Sequence, residues 1–139
     1  MRTIKKSRPR PGPPGFALVM ESDPDLRAVI RAGLLLDGHR VECVPDCAGV
    51  LAWRRSVGPR PDAFVLALGA GEPDPDWATL QAALDDDVVL SRAAVIVLLT
   101  IRNGLTFPDR AQILQKPFAM EELLALVTSH VAAAPRLPV

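Results

Sequence analysis

Cysteine and histidine are scarce in this chain, and long apolar runs are missing. The longest run, Ala93 to Leu99, has the length of a strand and falls far short of the roughly 18 residues of a membrane-spanning helix. Phe16 to Met20 follows a basic, proline-broken start and is too short for the apolar core of a signal peptide, so none is expected and a cytoplasmic location is. Cys43 and Cys47 are the only cysteines. A C-x-x-x-C pair without a second cluster lacks the four ligands of a structural zinc site, so two reduced, partly buried thiols are expected and no metal. His39 and His130 lie far apart and read as surface or element-end residues. No nucleophile and base stand at a useful spacing, no internal repeat is present, and no enzymatic activity or cofactor is expected.

The balance of 16 basic and 16 acidic residues conceals an asymmetry. Arg2, Lys5, Lys6, Arg8 and Arg10 give residues 1–15 a charge of +5 with no acid, which leaves −5 on the remainder. Arg8 to Gly15 is mostly proline, glycine and arginine, and proline's missing donor and fixed φ exclude a helix or a central strand. Residues 1–15 therefore read as a disordered or polyproline-like arm, residues 16–131 as the folded domain, and residues 132–139 as a short tail.

Within the domain, strand and helix patterns alternate. Phe16 to Met20 is continuously apolar, as in a parallel strand covered on both faces. Ser22-Asp23-Pro24-Asp25 offers capping side chains, a first-turn proline and an acid at the positive end of a helix dipole. Leu26, Val29, Ile30, Gly33 and Leu34 recur at helical spacing until Asp37-Gly38 stops them. Further strands are expected at Val41–Val44, Phe64–Leu68, Val95–Leu99 and Gln112–Leu114. Helices are expected after Asp46, from about Asp76 to Leu84, and from Met120 to Val131. Alternation with buried strands gives an α/β fold, a flavodoxin-like doubly wound parallel sheet of five strands in the order 2-1-3-4-5. Between Thr100 and Lys116 the breakers Asn103-Gly104 and Phe107-Pro108 leave little room, so a fourth helix is expected to be shortened or missing. The acidic Glu21-Ser22-Asp23-Pro24 after the first strand is no glycine-rich phosphate loop.

Two segments carry a family resemblance. Leu18 to Arg27, with Glu21-Ser22-Asp23 after a strand, resembles the first strand and acidic loop of bacterial response-regulator receiver domains, which are CheY-like. Gln115-Lys116-Pro117-Phe118 followed by Glu121-Glu122-Leu123-Leu124 is similar to their closing motif. The resemblance spans about Phe16 to Val131 and implies a mechanism built on Mg²⁺, a phosphoaccepting Asp, a switch hydroxyl and a lysine. Three of its positions depart here. Ala67 stands at the phosphoacceptor, Ser22 at the direct metal ligand, and Ile113 at the switch aromatic of the fifth strand. The switch hydroxyl aligns with Leu99 or, one residue on, with Thr100.

The resemblance thus implies a degenerate pseudo-receiver that takes part in signal transduction by phosphorylation-independent protein–protein interaction, with no catalytic residue, cofactor or metal. Glu21, Ser22, Asp23, Thr100 and Lys116 would form a vestigial pocket in which Lys116 pairs with Glu21. Asp74 and Asp76, beyond the third strand, are poorly placed to replace the acceptor, and Asp85-Asp86-Asp87 reads as a solvated run. With no output domain after the fold in this sequence, Leu105, Phe107 and Ile113 are the candidate interaction surface, for another signalling or regulatory protein or a second copy, unless they fold back. A membrane is not an expected partner. The alternative is nucleic-acid or anionic-surface binding through the basic arm, with the fold as scaffold; the arm's lack of stacking aromatics and the acidic body weigh against it.

Overall fold

The computed structural model describes residues 15–53, 60–69, 74–87, 90–100 and 107–133, with side chains up to residue 129. The basic arm and Leu105 lie outside the described residues. The chain runs β1 (Phe16–Met20), α1 (Pro24–Leu36), β2 (Arg40–Val44), α2 (Cys47–Trp53), β3 (Ala63–Leu68), α3 (Trp77–Asp86), a 3₁₀ turn (Leu90–Arg92), β4 (Ala94–Leu99), β5 (Gln112–Gln115) and α4 (Met120–Ala133). All strand pairs are parallel, in the order β2-β1-β3-β4-β5. The expected fold class and winding are those observed. Four α-helices are present among the described residues, none of them between β4 and β5.

Strand alternation divides the core into two layers. Leu18, Met20, Phe64, Leu66, Val95, Val97 and Leu99 face α2 and α3, where they meet Cys47, Val50, Trp77, Leu80 and Leu84. Val19, Val65, Ala67, Ile96 and Leu98 face α1 and α4 and pack on Ile30, Leu34, Leu123 and Val127. Both faces of β1, β3 and β4 are thereby covered, which is why these strands read as unbroken apolar runs. Each buried leucine, valine or phenylalanine contributes roughly 1.5–3 kcal/mol.

Local signals account for the helix ends. Asp23 caps α1 by accepting from Asp25 N–H at 2.9 Å, and Gly38 closes it at φ 92°. Asp46 accepts from Gly49 N–H at 2.9 Å as α2 begins. The Lys116-Pro117 bond is cis. Gly33 lets α1 approach α4: a Cβ there would stand 2.9 Å from Met120 Sδ.

Two readings change. His39 lies in the turn between α1 and β2 but is buried, not at the surface. Its Nε2 lies 3.2 Å from Thr128 Oγ1 of α4 and 3.4 Å from Asp37 Oδ2, a polar tie that lets it occupy the interior. Val29, one of the recurring apolar residues of α1, is 56% exposed, because only Ile30 and Leu34 of that helix are fully inside.

Candidate functional site

A doubly wound sheet gathers its functional residues at the carboxyl ends of the strands, near the crossover between β1 and β3. Glu21, Ser22 and Asp23 follow β1, Ala67 is the penultimate residue of β3, Thr100 follows β4 and Lys116 follows β5. The backbone ties the last two positions in place. Thr100 N–H donates to Leu68 O at 3.2 Å and Lys116 N–H donates to Leu99 O at 2.9 Å.

Glu21 is buried and both its oxygens are engaged. Lys116 Nζ donates to Oε1 at 3.1 Å and the Asp23 backbone N–H donates to Oε2 at 2.9 Å. The pairing expected from the sequence is therefore formed. The side chain of Glu21 is 5% exposed and that of Lys116 17%, so the pair sits largely out of water, where hydrogen bonding to both partners matters most. Arg27 of α1 adds a bond from Nη1 to Glu21 O at 2.9 Å, a contact the sequence did not single out. Ser22 and Asp23 are exposed.

Ala67 is 8% exposed and sits among Val65, Leu98 and Leu123, in register with Leu98. Its methyl group has no lone pair for a phosphoryl group or a cation. The Mg²⁺ that the resemblance brings with it does not fit these donors: Ser22 and Ala67 supply no carboxylate, and Glu21 is already occupied by Lys116 and Asp23 N–H. Among the described residues no group of three or more His, Cys, Asp or Glu could hold a metal ion.

The choice between Leu99 and Thr100 has a geometric answer. Leu99 is 1% exposed and belongs to the core layer under α2 and α3. Thr100 lines a cavity together with Lys116, Pro117, Phe118, Leu26, Val29 and Met120. Thr100 thus faces the same space as Lys116.

Asp74 is engaged elsewhere. It accepts from Cys47 N–H at 3.0 Å and Asp76 N–H at 2.8 Å, which fastens the approach to α3 onto the start of α2. Burial opposes its charge, but these two N–H groups and the Cys47 thiol prevail and hold its pKa below the usual value. Burial first, and then the Asp74 carboxylate, push the Cys47 thiol up to about 12. Asp85 and Asp86 are exposed, while Asp87 accepts from Leu90 N–H at 3.0 Å and caps the 3₁₀ turn.

Phe107 and Ile113, the described members of the candidate interaction surface, do not line the pocket with Thr100 and Lys116. Phe107 is half-buried and meets Trp77 edge-on, with ring centroids 5.9 Å apart, and Ile113 packs partly against the same core layer. Arg110 was not singled out by any sequence pattern; its guanidinium donates to Ala93 O, Leu84 O and Leu90 O at 2.9, 3.1 and 3.0 Å.

No protein-family model matches the chain, and no curated protein matches it in sequence. Solved structures do match its fold. The signal receiver domain of a signal-transduction histidine kinase from Syntrophus aciditrophicus superposes with a TM-score of 0.75 at 19% identity, over 89% of this chain and 95% of that one. A response regulator receiver protein from Sinorhizobium medicae gives 0.68 at 21% identity, over 86% and 96%. The receiver domain of a Francisella response regulator gives 0.68 at 17%, over 86% and 98%. The chain shares the receiver fold across nearly the full length of these domains.

Proposed function

We propose that this chain is a pseudo-receiver, a signalling module of response-regulator type that acts by protein–protein interaction without phosphorylation. The observation that carries the reading is Ala67 at the carboxyl end of β3, on a fold shared with receiver domains in which Lys116, after β5, is already paired with Glu21. Phosphoryl transfer to a carboxylate needs an acceptor oxygen and a metal that gathers the phosphoryl oxygens. Ala67 and Ser22 remove the acceptor and two metal ligands together. What remains is a recognition surface on a rigid scaffold, and the partner is another signalling or regulatory protein.

The test is capture of partners by the whole chain and by a chain lacking residues 1–15, with and without acetyl phosphate and Mg²⁺. One signalling protein retained by both chains at equal yield, whatever the phosphate donor, is the expected outcome. Retention that needs acetyl phosphate, or that disappears with the arm, overturns the reading.

A further inference from the structure

The cavity beside Thr100 and Lys116 occupies about 500 Å³, within the range of small-molecule sites. Its chemistry is divided. Leu26 and Val29 of α1, Phe118 and Met120 form apolar walls, while Thr100 and Lys116 stand together as the hydrogen-bonding groups. A hydroxyl and an ammonium are both donors, and Lys116 gives one of its three N–H groups to Glu21. From these contrasts the geometry points to a binding site for a small, uncharged apolar molecule with a single acceptor oxygen, such as a medium-chain ketone or ester. This goes beyond the interaction reading and does not rest on it.

Charge decides against an anionic head group. Lys116 is already balanced by Glu21 at 3.1 Å, so a ligand meets a neutral pair and not a bare cation. Arg27 of α1, whose Nη1 donates to Glu21 O, adds one cation, but Asp23 and Asp25 at the start of α1 and Glu121 and Glu122 at the start of α4 outnumber it in the segments that supply the walls. A carboxylate would lose its hydration and gain no net countercharge, whereas a carbonyl accepts from Thr100 and Lys116 at far lower desolvation cost. The apolar part of the ligand would cover Val29, which is otherwise 56% exposed.

The experiment is a titration of the isotope-labelled whole chain with 2-octanone, and separately with octanoate, followed by amide NMR shifts. Saturable 2-octanone shifts confined to Leu26, Val29, Thr100, Lys116, Phe118 and Met120 are expected, with octanoate at least ten-fold weaker. Thr100→Val, which keeps the side chain's shape, should weaken 2-octanone about five-fold, the worth of one neutral hydrogen bond. Val29→Asp, at an exposed position that leaves the core intact, should abolish saturation while shifts elsewhere stay native. Octanoate binding as tightly as the ketone overturns the uncharged-ligand assignment. Unsaturable or scattered shifts, or full affinity in both variants, overturn the site.

Discussion

Glu21 and Lys116, 95 residues apart in the sequence, satisfy each other in the fold. The carboxylate that would face a cation accepts from Lys116 and from the Asp23 N–H, and it is buried as it does so. Such a pair fixes the ends of β1 and β5 relative to each other, and removing one partner leaves a buried charge alone. Lys116→Met should therefore destabilise the chain by about 3 kcal/mol in urea unfolding, and Glu21→Met with Lys116→Met should recover most of that. A single substitution with no cost would show that the pair carries no structural weight. Cys47 makes a second residue-scale case. Its thiol pKa is about 12 in the fold against 9.0 as the ordinary value, because burial and then Asp74 disfavour the thiolate. A pKa raised by folding gives stability that is complete below pH 9.0 and is lost as pH rises toward 12. Unfolding measured from pH 8 to 11 should show this loss, and Cys47→Ala should flatten it. A profile that is the same with and without Cys47 would refute the assignment.

Arg110 performs at the level of elements a task the sequence left unexplained. It holds carbonyls at the end of α3, in the 3₁₀ turn and just before β4, in the segment where no helix forms among the described residues. Three fixed donors on one plane match three carbonyls, a geometry an ammonium cannot copy. Arg110→Ala should cost about 2 kcal/mol or more, and Arg110→Lys should recover less than half; full rescue by lysine would mean that charge alone matters. Helix boundaries were legible because their causes are local. Asp23-Pro24, Asp46 and Asp37-Gly38 act within a turn of their own positions, and β1, β3 and β4 announce their double burial by composition. His39 was not legible, since the threonine that admits it to the interior lies 89 residues away. Arg110 hid for the same reason, with acceptors 17 to 26 residues upstream. At the site, residue types marked Ala67 and Ser22 as departures from the resemblance, but only the folded chain puts Thr100 and Lys116 on one cavity and Leu99 in the core.

At the scale of the whole molecule, the sheet order, the double winding and the close match to receiver structures describe one scaffold, while its carboxyl edge holds an ion pair where a phosphorylation site would need two more carboxylates. Fold and site thus carry different information: the first is the fold of receiver domains, and the second lacks carboxylates at positions 22 and 67, on which the proposal of a phosphorylation-independent module rests. Amide NMR of the whole chain with Mg²⁺ and beryllofluoride tests that claim most directly, with the Ser22→Asp, Ala67→Asp double variant measured beside it. No saturable shift is expected at Glu21, Thr100 or Lys116 in the natural chain, and clustered shifts are expected at those residues in the variant once both carboxylates are supplied. Clustered, saturable shifts at Glu21, Thr100 and Lys116 in the natural chain would contradict it.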